Sequence, residues 1–534
     1  MFNPVLLNQV AFTWPDGTPC LRETSVVFSA GFTGIVGRNG SGKSTLLKLI
    51  CGELTPTQGL VTVGGTVGVL PQDLTLHRDA HVADLLGIAA KLEAIRAIEA
   101  GDLDAQLFDV IGDDWAVETR ATQQLAATGF DVDLDRSVET LSGGEAMLLA
   151  IVGLKLAGNP ITLLDEPTNN LDRPSRERLY QLLRGWTGTL IVVSHDVGLL
   201  RQVDQIAELR DGRISSYGGN WDDYLAQVDS EQEAARRRLA SAEQRLRAEK
   251  QQQAQAQEKL AHRQRLAAKR ASEGVGKMAQ HYFTNRAERS GAKLRRGVED
   301  QIAAAADAVE LAESKVRDET TIRIDLSDPL VAAGRRLAEF VDSAGRSHLI
   351  RGPERVALVG PNGVGKTVLI SNLLGLPGQP PSPVATRLLT DRVGHLPQRL
   401  DEIDDKSSVL DNVLRVAPSV TPGEIRDRLA RLGLRGDTVH RPVITLSGGE
   451  RFKAVLAGLL LAEPPAQLIV LDEPTNNLDI DTVTVLVEAL SGYRGALLVV
   501  SHDEDFLRRL GTTRYLELSR SGVLADSLSA ANND

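Results

Sequence analysis

The stretch GRNGSGKS (Gly37–Ser44) decides the fold of this chain, and it returns as GPNGVGKT (Gly360–Thr367). Each copy follows an apolar, β-branched run and precedes a run of helix-forming residues. A glycine-rich loop between a strand and a helix, ending in Lys and Ser or Thr, is typical of a phosphate-binding loop. Its backbone N–H groups and the helix N-terminus would surround phosphate groups. We therefore predict two separate nucleotide-binding loops.

Three further segments recur in the same order after each loop. Two of these segments contain the tripeptides DEP and SHD. The glutamate of DEP precedes the histidine of SHD by 29 residues in both copies, Glu166 to His195 and Glu473 to His502. Because order and spacing recur together with residue types, the chain carries an internal duplication. The repeated segments are LSGGE (Leu141–Glu145 and Leu446–Glu450), LDEPTNNLD (Leu164–Asp172 and Leu471–Asp479) and SHD (Ser194–Asp196 and Ser501–Asp503).

Composition narrows the class of protein. The chain has 534 residues, a formal net charge of −11 and only 4% aromatic residues, so its cores must be aliphatic. Its two cysteines form no metal or disulfide pattern, the first residues do not resemble a secretion signal, and no run of 18 apolar residues occurs. We expect a cytoplasmic protein with no membrane domain in this chain. The charge is uneven, because residues 231–300 carry 17 Lys and Arg against 9 Asp and Glu.

The pattern along the chain predicts an α/β protein, with two tandem P-loop domains joined by an antiparallel α-helical hairpin. Continuous apolar runs before the DEP and SHD segments are typical of parallel strands covered on both faces. The connecting segment is rich in Ala, Gln, Glu and Arg, and has no Gly or Pro from 230 to 270. The predicted boundaries are 1–225 for the first domain, 226–320 for the hairpin with its tip at 272–289, 321–528 for the second domain and 529–534 for a polar tail.

The glycine loops and the residues around them are the candidate ATP-binding residues. Lys43 and Lys366 would bridge the β- and γ-phosphates. The full loops comprise Gly37, Arg38, Asn39, Gly40, Ser41, Gly42, Lys43, Ser44 and Thr45 in the first copy, and Gly360, Pro361, Asn362, Gly363, Val364, Gly365, Lys366 and Thr367 in the second.

Carboxylates at strand ends supply the candidate metal and catalytic groups. An acidic residue that ends an apolar strand is costly unless it meets a cation, which suits Mg²⁺. The following glutamate is a candidate general base, and the histidine would contact the γ-phosphate. The candidate metal residues are Ser44, Gln72 and Asp165, with Thr367, Gln398 and Asp472 in the second copy. The candidate catalytic residues are Glu166, His195, Glu473 and His502.

Each LSGGE segment would place a hydroxyl and free N–H groups at a helix start, which is an anion site. We therefore count two further sets among the candidate ATP-binding residues. These sets are Ser142, Gly143, Gly144 and Glu145, and Ser447, Gly448, Gly449 and Glu450.

With these motifs, the chain resembles the ATP-binding cassette ATPases, and we call 1–225 cassette one and 321–528 cassette two. The resemblance implies that the signature LSGGE of one cassette closes on the nucleotide held by the other. It also implies that Asp172 and Asp479 lie at the seam between the cassettes. Trp14 matches the aromatic residue that stacks on adenine in this family, and Phe340 is its weaker counterpart.

One departure separates the two copies. The second signature continues with basic residues, ERFKA (Glu450–Ala454), whereas the first continues as EAMLLA (Glu145–Ala150). We therefore expect the two ATP sites to hydrolyse at different rates.

Over essentially its whole length the chain is similar to the ABC-F group of translation factors. Tandem cassettes, a charged hairpin between them and the segment SSYGGNWDDYL (Ser215–Leu225) carry this resemblance. It implies a monomer with intramolecular cassette pairing that uses ATP and Mg²⁺. Its ATP-bound form would bind the ribosome, contacting rRNA and peptidyl-tRNA near the peptidyl-transferase centre, and hydrolysis would release it. Candidate RNA contacts are Arg263, Arg265, Lys269, Arg270, Lys277, His281, Tyr282 and Phe283.

Several alternatives stay open at this point. The hairpin is also compatible with a solvated spacer of ordinary surface charge. A housekeeping translation factor and an antibiotic-resistance factor share these motifs, and hairpin length separates the two poorly. Other classes are the ATPase subunit of a membrane exporter, which needs a separate membrane partner, and a DNA-repair ATPase, which usually carries zinc cysteines or a coiled coil inside a cassette.

Overall fold

The computed structural model describes residues 3–70, 80–271, 301–317, 326–398 and 403–527. The chain divides into two compact units. One comprises Met1–Trp221 with Thr320–Asp534 and so contains both cassettes, and the other is Asp222–Glu319. Of the helices in these ranges, none is both long and apolar enough to cross a membrane.

Cassette one combines a small antiparallel sheet with a larger, mostly parallel one. Its elements are β1 (Val5–Thr13), β2 (Pro19–Phe28), β3 (Gly31–Val36), α1 (Lys43–Ile50), β4 (Gln58–Val63), β5 (Val67–Leu70), α2 (Val82–Leu85), α3 (Ala89–Glu99), α4 (Ala105–Ile111), α5 (Val117–Ala127), α6 (Gly143–Ala157), β6 (Ile161–Asp165), α7 (Arg173–Leu183), β7 (Thr189–Val193), α8 (Val197–Leu200), β8 (Gln205–Arg210) and β9 (Arg213–Gly218).

The second unit is helical where it is described. Helix α9 (Trp221–Ala271) is 51 residues long, and residues 301–313 form helix α10. The side-chain oxygen Oε1 of the buried Gln232 accepts a hydrogen bond from the backbone N–H of Arg317 at 2.7 Å. This bond brings the chain after α10 back to the first turns of α9, as an antiparallel hairpin requires.

Cassette two repeats the plan of cassette one. Its elements are β10 (Arg336–Val341), β11 (Ser347–Arg351), β12 (Arg355–Val359), α11 (Lys366–Leu373), β13 (Ala385–Leu388), β14 (Val393–Leu396), α12 (Val409–Val416), α13 (Pro422–Arg431), α14 (Gly448–Leu461), β15 (Leu468–Asp472), α15 (Ile480–Ser491), β16 (Ala496–Val500), α16 (Glu504–Arg509), β17 (Arg514–Leu518) and β18 (Leu524–Ser527).

The two large sheets have equivalent strand orders, β5-β6-β7-β3-β8-β9 and β14-β15-β16-β12-β17-β18, and only the last strand of each is antiparallel. The central strands are completely buried, which explains their continuous apolar sequences. Parallel strands end at one edge of the sheet, so β3, β6 and β7 deliver their last residues to the same place. The glycine loop, the DEP segment and the SHD segment all begin there.

The small antiparallel sheets have the orders β2-β1-β4 and β11-β10-β13. In cassette one, buried residues of β1 and β2 pack with α1 and with one face of the large sheet. Cassette two has the same packing around α11. Between the large sheet and the signature helix, the described part of cassette one has four helices, α2 to α5, and cassette two has two, α12 and α13. From Gln72 to Ser142 cassette one has 70 residues, against 49 from Gln398 to Ser447 in cassette two, and the described part of the longer segment contains the additional helices.

Candidate functional site

The glycine loops have a backbone that only glycine fits well. Gly37 has φ +155° and Gly360 has φ +145°. A Cβ atom at Gly37 would lie 2.4 Å from the carbonyl oxygen of Leu209, and one at Gly360 would lie 2.5 Å from that of Leu518. Any side chain would push the loop away from the sheet, so these positions fix the course of the chain into α1 and α11.

The loop lysines point back into their own loops. Lys43 Nζ donates to the carbonyl oxygens of Gly37 at 2.8 Å and Arg38 at 3.1 Å, and Lys366 makes the two equivalent bonds at 2.8 and 3.1 Å. Both lysines are 7% exposed, and burial lowers the pKa of each. Lys366 differs because its Nζ also lies 2.9 Å from Nε2 of His502.

The acidic residues that end β6 and β15 have room for one more partner. Burial raises the pKa of Asp165 and of Asp472, while a hydrogen bond from Ser44 and from Thr367, respectively, opposes the shift. In each carboxylate Oδ1 is buried without a hydrogen-bond partner. No group of three or more His, Cys, Asp or Glu that would hold a metal occurs among the described residues. A hydroxyl and one carboxylate therefore fit Mg²⁺, which is usually bound by one or two carboxylates together with substrate phosphates.

The candidate general bases have an unusual backbone in both cassettes. Glu166 has φ +48° and Glu473 has φ +47°, a conformation that costs a non-glycine residue about 1–3 kcal/mol. Burial raises the pKa of Glu166 to about 8 and that of Glu473 to about 7. Nε2 of His195 lies 3.2 Å from Oε1 of Glu166, and Nε2 of His502 lies 3.4 Å from that of Glu473.

The surroundings of the histidines beside these carboxyls favour the neutral imidazole. Burial lowers the pKa of His195 and of His502 to about 3, and the nearby loop lysine adds to the shift. Both ring nitrogens of His195 are buried without a well-aligned hydrogen bond. These shifts disfavour the protonated imidazole, and hence an ion pair, in the contact between each histidine and its glutamate.

The two cassettes meet through a pair of equivalent hydrogen bonds. The backbone N–H of Asn39 donates to Asp479 Oδ2 at 2.7 Å, and the backbone N–H of Asn362 donates to Asp172 Oδ2 at 3.1 Å. The two asparagine side chains also donate across the seam, to the carbonyl oxygens of Asn477 and Asn170, at 2.7 Å each. Each glycine loop thus contacts the segment after the DEP motif of the other cassette.

A cavity of about 510 Å³ lies at this seam, over the first glycine loop. A volume of this size is typical of small-molecule sites. The wall contributed by cassette two consists of Thr475, Asn476, Asn477, Leu478, Val483 and Asp503. The lining from cassette one includes Trp14, Cys20, Asn39, Gly40, Gly42, Lys43, Ser44, Thr45, Asp165, Glu166, Thr168, Asn169, Arg176, Val193, His195 and Asp196.

The signature segments begin α6 and α14 with capping boxes. Ser142 accepts from the backbone N–H of Glu145, whose side chain accepts from Ser142, and Ser447 and Glu450 repeat this arrangement. Both serines and the glycines that follow them are exposed, while the second glycine of each segment is half-buried. The lining of the cavity does not include Ser447, Gly448 or Gly449.

The adenine end of the two sites differs. Trp14 lines the cavity, is 38% exposed and packs edge-on against Phe12 with ring centroids 5.0 Å apart. Phe340 is only 1% exposed and lies in the core of cassette two, so the prediction that it is the counterpart of Trp14 is wrong. The turns after β1 and β10 have equivalent backbone hydrogen bonds, and in this pattern Asp342 occupies the position of Trp14.

Some predicted residues are only partly described. Gln398 is exposed, and Gln72 lies outside the described residues. Arg265 is exposed on α9. The backbones of Arg263, Lys269 and Arg270 belong to the same helix, whereas Lys277, His281, Tyr282 and Phe283 lie outside the described ranges.

Sequence analysis did not single out a charged cluster in the centre of the seam. Arg176 Nη1 lies 3.3 Å from Asp196 Oδ2, and the hydroxyl of Tyr180 donates to Asp196 Oδ1 at 2.6 Å. Asp503 of cassette two shares the cavity wall with Arg176 and Asp196. The only sequence signal was the aspartate of each SHD segment.

The model of the ABC transporter family matches residues 23–169 and 347–476, more than half of the chain. The tylosin resistance ATP-binding protein TlrC of Streptomyces fradiae is 33% identical over 96% of this chain and 96% of its own length. The energy-dependent translational throttle protein EttA of Mycobacterium tuberculosis is 30% identical over 90% of this chain and 85% of its own.

Among solved structures, the archaeal ribosome recycling factor aABCE1, in complex with the ribosomal stalk protein aP1, has a TM-score of 0.57. It covers 97% of this chain and 89% of that one at 18% identity, which shows a shared fold. The family model, the full-length relatives and the paired glycine loops agree. The chain belongs to the ABC-F family of ATP-binding cassette proteins, and it is an ATP hydrolase.

Proposed function

We propose that the chain hydrolyses ATP at two Mg²⁺-dependent sites on the cassette seam and uses this cycle to bind and leave the ribosome. The observation that supports the two sites most directly is the pair of bonds from the loop amides of Asn39 and Asn362 to Asp479 and Asp172. Because each loop contacts the other cassette, nucleotide in either loop affects how the two cassettes meet.

Site one comprises Lys43, Ser44, Gln72, Asp165, Glu166 and His195 with the signature Ser447, Gly448 and Gly449. Site two comprises Lys366, Thr367, Gln398, Asp472, Glu473 and His502 with Ser142, Gly143 and Gly144. The exposed helix starts at the signatures support this pairing, since each presents free N–H groups to an anion.

In each site a water attacks the γ-phosphorus, the bond to the bridging oxygen breaks, and ADP and phosphate leave. When bound, Mg²⁺ neutralises the phosphate charge. Glu166 and Glu473 take the proton of the water, for which they must be ionised, and the positive charges of Lys43 and Lys366 favour that form. The imidazoles of His195 and His502 lie beside these carboxyls and would contact the γ-phosphate.

The ribosome is the proposed partner because of the full-length relatives. One of them is named for translational throttling and another for tylosin resistance, and both are similar to the hairpin-bearing chain over nine-tenths of its length or more. We propose that a monomer with paired cassettes binds in its ATP-bound form, in the cytoplasm. The hairpin then acts near the peptidyl-tRNA and the peptidyl-transferase centre, in translation or in antibiotic resistance, through the candidate RNA contacts on and beyond α9.

Co-sedimentation with ribosomes tests this proposal. The double variant Glu166→Gln, Glu473→Gln should pellet with ribosomes in ATP and stay in the supernatant in ADP. The same protein carrying Lys43→Ala and Lys366→Ala is the matched control, since it should not respond to ATP. Equal sedimentation in ATP and ADP, or none in ATP, would contradict the proposed cycle while leaving the ATPase assignment intact.

A further inference from the structure

The turn after the first strand of each cassette has one backbone geometry and two different side chains. The backbone N–H of Trp14 donates to the carbonyl oxygen of Thr18 at 2.9 Å, and that of Asp342 donates to Arg346 at 3.0 Å. Three residues later, the backbone N–H of Gly17 donates to the carbonyl oxygen of Trp14 at 2.9 Å, and that of Gly345 donates to the carbonyl oxygen of Asp342 at 2.8 Å. Asp342 therefore stands where Trp14 stands in cassette one.

Asp342 does not face a nucleotide, because its own turn uses both carboxylate oxygens. Oδ1 accepts from the backbone N–H groups of Ala344 at 3.0 Å and Arg346 at 2.9 Å. Oδ2 accepts from Arg346 Nε at 2.9 Å and from the backbone N–H of Leu524 at 3.2 Å. The side chain is fully buried, so turning it outward would break four hydrogen bonds.

The neighbouring turn of cassette two is also longer and is tied to the Asp342 turn. Two residues, 211–212, connect β8 to β9, whereas five, 519–523, connect β17 to β18. The backbone N–H of Ser343 donates to the carbonyl oxygen of Gly522 at 3.0 Å. The hydroxyl of Ser343 donates to the carbonyl oxygen of Ser521 at 2.8 Å. This longer turn starts directly after Leu518, whose carbonyl oxygen abuts the second glycine loop.

No other aromatic residue of the described part of cassette two replaces Trp14. Between 326 and 527 the sequence has five phenylalanines and tyrosines and no tryptophan. Four of them are buried, and Tyr515 packs against the core around the α12–α14 helices. The four buried residues are Phe340, Phe452, Tyr493 and Phe506.

We propose that site two binds nucleoside triphosphates without stacking their base, and therefore accepts purine and pyrimidine triphosphates alike. Site one favours purines over pyrimidines through Trp14, because the larger ring system of a purine stacks more strongly, and Trp14 is the specificity-determining residue that cassette two lacks. Base stacking on an aromatic side chain strengthens binding about tenfold or more. This inference rests on the two-site assignment proposed above.

Calorimetric titration of the hydrolysis-deficient Glu166→Gln, Glu473→Gln protein tests it with ATP and CTP in turn. ATP should fill two classes of site whose dissociation constants differ about tenfold or more, and CTP should fill both sites as one weak class. Trp14→Ala should merge the two ATP classes. Trp115→Ala, which removes a tryptophan that is 51% exposed on the helical part of cassette one, is the matched control and should keep them apart.

The proposal is overturned by a single ATP class in the parent protein, by two ATP classes that persist after Trp14→Ala, or by CTP binding at only one site per chain. Lys43→Ala and Lys366→Ala separate this failure from failure of the site assignment. Each lysine substitution should remove one ATP class, and if neither does, the assignment of the sites is wrong rather than the inference about the base.

Discussion

Cassettes one and two carry the same hydrolytic groups in nearly the same geometry, but their surroundings differ. The backbones of Glu166 and Glu473 agree within 1° in φ. Yet Lys366 Nζ lies 2.9 Å from Nε2 of His502, whereas Lys43 Nζ donates to the carbonyl oxygens of Gly37 and Arg38 in its own loop. The two copies therefore share the backbone conformation of their motifs but differ in the side-chain contacts around those motifs.

The centre of the seam shows the same division. Arg176 lies on α7 of cassette one, and the equivalent position on α15 of cassette two is Val483. Burial raises the pKa of Glu473 and lowers that of His502, and the positive charge of Arg176 opposes the first shift and adds to the second. One cation of cassette one therefore acts on site two, whereas cassette two has the uncharged Val483 at the equivalent position.

The largest expected effect concerns the two glutamates. Glu166→Gln or Glu473→Gln should lower hydrolysis at its own site by about 10²- to 10⁴-fold, because a general base is lost. Because the two sites have different surroundings, the single-turnover rates left in the two variants should be unequal. Rapid quench with labelled ATP measures them, and identical residual rates would mean that the surroundings have no effect on turnover.

Loss of the central cation should come next. Arg176→Met leaves the carboxylate of Asp196 without its charged partner inside the seam, so we expect a loss of about 2 kcal/mol in the free energy of unfolding. Val483→Met, at the same position of cassette two, is the matched control and should change stability far less. Urea unfolding of both variants decides whether the asymmetry at the seam has an energetic consequence.

Acid should distinguish the adenine ends of the two cassettes. Burial favours protonation of Asp342, but hydrogen bonds from Arg346 and Leu524 outweigh it and hold the pKa of this carboxyl below its ordinary value. Its stabilisation is therefore complete above the unfolded pKa of about 3.9 and is lost as the pH falls through the lower folded value.

Hydrogen exchange at pH 5 and pH 3 measures this difference between the cassettes. At pH 3 protection in β10 and β11 should fall relative to β1 and β2, where Trp14 replaces the carboxyl. Asp342→Asn should reduce the pH dependence in cassette two. A loss of protection that is equal in both cassettes would assign the acid sensitivity to other groups.

The smallest effect belongs to the exposed pair across the seam. Arg173 Nε lies 2.8 Å from Glu504 Oε1, and both side chains are more than half exposed. A double-mutant cycle with Arg173→Ala and Glu504→Ala should give a coupling below about 1 kcal/mol that falls with added salt. A larger or salt-independent coupling would show that these charges contribute to cassette pairing more than their exposure implies.

Sequence motifs predicted the two glycine loops, their acidic strand ends and their histidines, because each motif forms its own local structure. The family resemblance misassigned Phe340, because Trp14 precedes Gly37 by 23 residues whereas Asp342, its counterpart, precedes Gly360 by only 18. Only hydrogen bonds in the turns show that Phe340 matches the buried Phe12.

Arg176 was missed for a different reason. It lies within RPSRERL (Arg173–Leu179), whose alternating charges predict an ordinary solvated helix face. Its role depends on which surface of cassette two it meets, and that is a property of the seam rather than of either cassette. The positive φ of Glu166 and Glu473 likewise cannot be read from a sequence of common residues.

The bonds from Asn39 and Asn362 across the seam join two halves of the same polypeptide. The ATP-dependent closure proposed above would therefore be a first-order event, and its equilibrium would not depend on the protein concentration. A tether of this kind replaces the entropy cost of bringing two molecules together with an effective concentration set by the linker. The response of the seam to ATP should consequently be the same in a dilute and in a concentrated solution.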